Sequence, residues 1–181
     1  MRLNGLLEVG EHLRIDVVSL TTLGYIRGQQ GSRNNLGKIS EMPSLADRKK
    51  QVIAEMESLV GKDNRLKYVV DRGKELPAMA EKFKIDQFLV KGCISKAWLF
   101  PQLTGGHVRF FADSEAMVVK GLMAILLDVY NDGTPDEIVA EDGSFLADLG
   151  VSEHLSMNRR NGLANVLKLI HGYAAAFKAQ A

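Results

Sequence analysis

The segment 87–112 constrains the fold of this chain most strongly, because its composition is typical of a β-sheet. It is rich in β-branched, aromatic and large apolar residues such as Trp98 and Phe110, which favour strands. Gly105 and Gly106 lie side by side within it and permit the positive φ angles of a tight hairpin turn. We therefore predict three short antiparallel strands, at roughly 87–91, 95–103 and 107–112.

Helix start signals flank the sheet segment on both sides. Ser44 followed by Asp47 resembles a capping box, and Thr134, Pro135 and Glu137 combine a capping residue, a proline at the first helical position and a glutamate at the third. Apolar residues at helical spacing follow each predicted N-terminal cap, namely Ser44, Asn64, Asp113, Thr134 and Ser156. The pattern predicts an α+β fold in which a small, curved, three-stranded antiparallel sheet packs against helices.

Residues 1–42 differ in composition from the rest of the chain. They contain six glycines, the polar run Arg27–Asn35 and no sustained apolar period. A lone strand or short helix at Val17–Ile26 would gain too little burial to offset the entropy of ordering it. We therefore predict a poorly ordered extension at 1–42, to which no function is assigned, followed by one domain at 43–181.

Charge and hydropathy argue against several classes of partner. The 23 basic and 22 acidic residues leave a net charge of +1, which provides no electrostatic footprint for nucleic acid or an anionic membrane. Val17–Ile26 is interrupted by polar residues and is far shorter than the roughly 20 residues of a spanning helix. It also follows acidic rather than basic residues, unlike a secretion signal. With one cysteine in the chain, we expect a reducing, cytoplasmic location and no nucleic acid or membrane partner.

Cys93 is the single cysteine and follows Gly92 in the bend between the first two predicted strands. A lone cysteine closes no internal disulfide, and structural zinc or iron–sulfur sites require several thiolates. The histidines show no ligand spacing either, so we expect no metal site. From the residues alone, Cys93 is either a small apolar filler of the core or a single nucleophile presented at a turn.

Four short motifs follow one another in the C-terminal half of the chain. They are Gly92-Cys93-x-Ser95-Lys96-x-Trp98, Ala112-Asp113-Ser114-Glu115-Ala116-x-x-Val119-Lys120-Gly121-Leu122, Thr134-Pro135-x-Glu137-Ile138 and His154-Leu155-Ser156-x-x-Arg159-x-x-Gly162-Leu163. In order and spacing they resemble the SufE family, including its CsdE branch, whose members are sulfur acceptors for cysteine desulfurases. The resemblance covers about 44–173 and implies the α+β fold that SufE shares with IscU-type scaffolds.

The resemblance implies a sulfur-transfer role for Cys93. Cys93 would take persulfide sulfur from a cysteine desulfurase, stimulate that enzyme, and pass the sulfur to an iron–sulfur scaffold or another acceptor. The desulfurase, of the SufS or CsdA type, would supply the pyridoxal phosphate, so no cofactor is expected on this chain. Apolar neighbours such as Leu89 and Trp98 would shelter the persulfide, and we expect the turn to move on docking. The sequence leaves a homodimer open.

The same resemblance implies supporting roles for Gly92 and Ser95 in the loop and for Asp113 and Arg159. Asp113 is either a helix cap or a residue that holds the Cys93 loop inward. Arg159 lies in the first turn of the last predicted helix, where a cation opposes the helix dipole. It either docks the partner and stabilises the reacting sulfur or is a solvated side chain. The chain departs from the family pattern at three positions. Ile94 replaces a frequent glutamine, Phe88 a frequent asparagine and Met157 a frequent proline.

Two rival functions and one surface feature stay open. The chain could be a non-catalytic allosteric activator of a desulfurase, or a thiol-based redox sensor, which would normally require a resolving cysteine or a reductant partner. Between Gly121 and Asn158 the sequence holds eight acidic residues and no lysine or arginine. These carboxylates are either a solvated face or an acidic patch that faces a partner.

Overall fold

The chain adopts a mixed helix and sheet fold in a computed structural model, which describes two short strands within residues 1–42 and the ranges 43–149 and 156–180. The helices are α1 Leu45–Ser58, α2 Lys62–Glu75, α3 Met117–Tyr130, α4 Pro135–Ala140, α5 Phe145–Asp148 and α6 Met157–Lys178. The strands are β1 Leu6–Glu8, β2 Arg14–Asp16, β3 Ala97–Thr104 and β4 His107–Ser114. Short 3-10 helices cover Glu81–Phe83 and Asp86–Phe88.

Strands β3 and β4 form an antiparallel hairpin, as the sequence predicts. Their ladder is unbroken from Ala97 opposite Ser114 to the turn. Gly105 and Gly106 have φ angles of 58° and 82°, so the turn uses the backbone freedom of glycine. Buried residues of the hairpin belong to the same core as the residues of α3, and they are Ala97, Leu99, Val108, Phe110 and Ala112.

The predicted first strand at 87–91 is not confirmed: the sheet that contains β3 has two strands in the described part of the chain, not three. In its place lie the 3-10 helix Asp86–Phe88 and a single β-bridge from Leu89 to β3. The physical reason is the packing of Phe88, whose buried ring meets Phe100 edge-on at a centroid distance of 5.0 Å. Burying that ring turns the chain and ends the period-2 alternation of a strand.

Of the predicted helix caps, two hold, two fail and one holds in position only. Ser156 is the N-cap residue of α6 as predicted, but its side chain accepts no capping hydrogen bond from the described residues. Ser44 accepts a hydrogen bond from the backbone N–H of Asp47 at 3.2 Å at the start of α1, and Thr134 forms the capping box of α4. Asn64 instead lies inside α2 and donates to a backbone carbonyl. Asp113 is still paired within β4, so it lies before α3 without capping it.

Helix α3 lies at the centre of the fold, with nearly all residues from Gly121 to Tyr130 buried. Helix α2 approaches it most closely at Gly121, where a Cβ atom would lie 1.8 Å from the carbonyl oxygen of Val69. At Gly73 a Cβ atom would lie 2.8 Å from the carbonyl oxygen of Met117. These two glycines therefore set the distance between α2 and α3.

Strands β1 and β2 pair antiparallel with each other, from Leu6 opposite Asp16 to Glu8 opposite Arg14. The sequence did not predict this short hairpin within the proposed extension 1–42. Other parts of that extension, including Val17–Ile26, lie outside the described residues, so the predicted lack of order and the boundary at residue 42 stay predictions. His154 also lies outside the described residues.

Many of the acidic residues between Gly121 and Asn158 pair with cations from other parts of the chain. Ion pairs join Arg72 to Asp128, Arg109 to Asp132 at 2.7 Å, Lys178 to Asp136 at 2.6 Å and Lys49 to Glu141 at 2.6 Å. These pairs compensate the charge of the segment within the fold. They favour the structural interpretation of the acidic segment over a patch that faces a partner.

Candidate functional site

A turn at residues 91–95 contains Cys93 and connects the 3-10 helix Asp86–Phe88 to β3. The backbone N–H of Val90 donates to the carbonyl of Ala97 at 2.8 Å and closes the base of the turn. Gly92 has a φ angle of 78°, which residues with a Cβ atom rarely adopt. Gly92 and Cys93 thus lie at a chain reversal, as the sequence predicts, although a β-bridge takes the place of the first strand.

The half-buried thiol of Cys93 packs against α6 at Gly162. A Cβ atom on Gly162 would lie 2.6 Å from Cys93 Sγ, so the sulfur occupies space that any larger residue would fill. Gly162 lies in the last of the four sequence motifs, and the sequence alone indicates no role for it. Glycine in the interior of a helix lowers its stability by about 1 kcal/mol relative to alanine. Its presence inside a long predicted helix is the signal that could have identified this close contact.

A cavity of about 300 Å³ lies beside Cys93. Its apolar wall combines α3 and α6 through Val119, Leu122, Met123, Leu163 and Val166. Burial raises the pKa of the Cys93 thiol above its ordinary value, because apolar surroundings disfavour the thiolate. In this conformation the sulfur is half-buried, and the neutral thiol is favoured over the thiolate.

Ser95 and Arg159 line the same cavity as Cys93. Arg159 lies in the first turn of α6, is exposed, and forms no ion pair with any of the described residues. A cation at this end of a helix opposes the helix dipole, and an anion bound at the cavity would offset that cost. The structure thus brings Cys93, Ser95 and Arg159 together, with Gly92 next to them in the turn.

Asp113 lies apart from this cavity, buried at the end of β4. Its carboxylate pairs with Lys84 at 3.1 Å and with Lys120 at 3.0 Å, and it accepts a hydrogen bond from the backbone N–H of Met79 at 3.2 Å. Burial alone would raise the pKa of Asp113, but these bonds hold it below its ordinary value. Asp113 therefore ties the segment 79–84 to the hairpin and α3.

Replacing Asp113 by asparagine is expected to lower the free energy of unfolding at pH 7 by about 1–2 kcal/mol, because two lysines lose a charged acceptor. Because the pKa of Asp113 is depressed in the folded chain, its contribution is present above the unfolded-state pKa of about 3.9 and is lost as the pH falls through the folded value. Urea unfolding at pH 7 and pH 3 measures both effects. An equal difference between wild type and Asp113→Asn at the two pH values would contradict this account.

Replacing Gly162 by alanine is expected to raise the rate of Cys93 alkylation about tenfold. The added methyl group overlaps Cys93 Sγ and penalises the closed turn, and overpacking of this kind costs about 1–3 kcal/mol. Alkylation by iodoacetamide, followed by intact mass, measures the rate. Asn161→Ala, an exposed change on the same helix, is the control and should react as wild type does. An unchanged rate in Gly162→Ala would show that the thiol does not rest on this glycine.

Neither a metal cluster nor a bilayer-spanning helix occurs in the described ranges. No group of three or more His, Cys, Asp or Glu side chains there is arranged to hold a metal ion. No helix in the same ranges is long and apolar enough to cross a membrane. What surrounds Cys93 is a mainly apolar cavity whose polar groups come from Ser95 on the turn and from Ser156, Asn158 and Arg159 at the start of α6.

Known proteins are similar to this chain in sequence and in fold. The family model described as "SufE: Fe-S metabolism associated domain" matches residues 50–174. An uncharacterised SufE-like protein of Rhizobium etli is 35% identical over 125 residues, which cover 66% of this chain and 84% of that protein. One of Synechocystis sp. is 38% identical over 106 residues, which cover 59% of this chain and 67% of that protein.

The solution structure of a hypothetical protein from Thermus thermophilus matches this fold with a TM-score of 0.61. The match has 18% sequence identity and covers 71% of this chain and 94% of that one. It supports the mixed helix and sheet architecture described above. The family model spans the Cys93 turn, the hairpin, the central helix and most of α6. The chain therefore belongs to the SufE family, whose domain is associated with Fe–S metabolism.

Proposed function

We propose that this chain accepts sulfur from the persulfide of a cysteine desulfurase onto Cys93, stimulates that enzyme, and passes the sulfur on for iron–sulfur cluster assembly. The observation that carries the proposal is the placement of the thiol. Cys93 lies on a turn, against an apolar cavity that also holds Arg159. A single thiol at such a place suits a carrier that protects a reactive sulfur between two transfers.

The transfer is an exchange between a thiolate and a persulfide. The thiolate of Cys93 attacks the outer sulfur of the desulfurase persulfide, a new S–S bond forms on Cys93, and the S–S bond on the desulfurase breaks. The desulfurase cysteine leaves as a thiolate, so no net oxidation or reduction occurs. The pyridoxal phosphate that releases sulfur from L-cysteine belongs to the partner. This chain supplies the acceptor thiol and the surface that docks.

The closed conformation lowers the reactivity of the acceptor thiol. Burial raises the pKa of Cys93, and the protonated thiol is a poor nucleophile. Exposure of the turn to the partner would lower that pKa again, and Arg159 at the cavity would favour the anion. We propose a reducing cytoplasm as the compartment, since it keeps a single thiol unpaired.

Incubation with a cysteine desulfurase and L-cysteine tests the proposal. Intact mass under non-reducing conditions should show one added sulfur atom on this chain, removed by a reductant. A mixture without the desulfurase is the control and should leave the mass unchanged. If the desulfurase itself became persulfidated while this chain gained no sulfur, the carrier function would be wrong.

A further inference from the structure

Asn165 on α6 contacts the turn that carries Cys93. Its side-chain Nδ2 donates a hydrogen bond to the carbonyl oxygen of Lys91 at 3.0 Å. The same nitrogen lies 2.5 Å from the position that a Cβ atom on Gly92 would occupy. Asn165 therefore fills the space that the missing side chain of Gly92 leaves open.

The turn rests on one face of α6 at two neighbouring points. The Sγ atom of Cys93 packs against Gly162, and Asn165, three residues later, donates a hydrogen bond to the carbonyl of Lys91. Residues three apart lie on the same side of a helix. Within the described residues, the bond from Asn165 is the side-chain hydrogen bond that joins the turn 91–95 to α6.

Outside these contacts the turn faces solvent. Ile94 is 79% exposed, and Lys91 and Gly92 are exposed as well. Few buried contacts therefore resist its displacement, in contrast to the hairpin that follows it. The closed position of Cys93 depends on packing against Gly162 and on the bond from Asn165.

We propose that Asn165 is a latch: a positioning residue whose hydrogen bond to Lys91 holds the turn closed, and whose release frees Cys93 for its partner. This inference rests on the proposed sulfur-acceptor function, in which the thiol must leave the cavity to meet a persulfide. One neutral hydrogen bond shifts such an equilibrium about fivefold. The latch is thus strong enough to favour the closed turn and weak enough for docking to open it.

Alkylation of Cys93 tests the latch directly. Asn165→Ala removes the donor, and Asn165→Leu removes it while keeping a side chain of similar size over Gly92. Both should raise the rate of alkylation by iodoacetamide about fivefold. The matched control is Asn161→Ala, an exposed asparagine one turn earlier, which should react at the wild-type rate. The free energy of unfolding of each variant is also measured in urea, because loss of overall stability would expose the thiol as well.

The outcomes separate the latch from the carrier function. A wild-type rate in both Asn165 variants overturns the latch, and so does an increase that scales with a loss of overall stability. A fivefold increase at unchanged stability supports it. With a desulfurase present, the variants should reach half-maximal stimulation at a lower concentration than wild type. If alkylation accelerates but no sulfur reaches Cys93 in the wild-type chain, the carrier function fails and the latch contact stands.

Discussion

Cys93→Ser is expected to abolish sulfur acceptance and to return the desulfurase to its unstimulated turnover. Serine keeps the size of the side chain but is a far weaker nucleophile at sulfur, and no other cysteine exists in the chain to replace the thiol. The rate of alanine formation from L-cysteine, with and without this chain, measures the stimulation. The expected loss is complete, because the exchange has no alternative acceptor on this chain.

The same variant separates the carrier from its strongest rival. A non-catalytic allosteric activator would stimulate the desulfurase without receiving sulfur, so Cys93→Ser would stimulate as well as wild type. Cys93→Ala should behave like Cys93→Ser, which excludes an effect of the new hydroxyl. Asn161→Ala is the surface control and should stimulate fully. Full stimulation by both Cys93 variants would replace the carrier function with allosteric activation.

Gly121→Ala is expected to lower the free energy of unfolding by about 2–3 kcal/mol, although alanine is the better helix former. The added Cβ atom would lie 1.8 Å from the carbonyl oxygen of Val69, and a backbone atom cannot rotate away as a side chain can. Helices α2 and α3 must therefore separate, which loosens the centre of the core. Urea unfolding of wild type and variant measures the change.

Gly73→Ala provides the graded comparison for this prediction. Its Cβ atom would lie 2.8 Å from the carbonyl oxygen of Met117, a milder overlap than at Gly121. The expected order of stability is therefore wild type, then Gly73→Ala, then Gly121→Ala. A Gly121→Ala chain as stable as wild type would show that α2 and α3 do not pack as closely as described.

Local signals in the sequence predicted the elements that depend on few residues. Gly105 and Gly106 identified the β3–β4 turn, and Ser44 and Thr134 identified two helix starts, because each signal acts on its own neighbours. The predicted first strand at 87–91 was not confirmed because Phe88 is strand-forming by type but packs into a buried cluster with Phe83 and Phe100. Such tertiary contacts override local preference.

At the site, too, local motifs predicted some features, and contacts between distant parts of the chain determined the others. The motifs singled out Cys93, Ser95 and Arg159, which the fold brings to one cavity. They also singled out Asp113, which the fold places apart, in a buried cluster with two lysines. The contacts that position the thiol come from Asn165, which no motif included, and from a helix glycine without an assigned role. Both lie about 70 residues from the turn in sequence, beyond the reach of local patterns.

Isotopically labelled sulfur, followed in a single turnover, tests most directly whether Cys93 accepts sulfur from the desulfurase. A desulfurase is loaded with labelled persulfide from L-cysteine, separated from free substrate, and mixed with this chain. We expect label to leave the desulfurase as it appears on the peptide that contains Cys93, with the same rate constant. Label that stays on the desulfurase, or that appears on this chain at any other peptide, would contradict it.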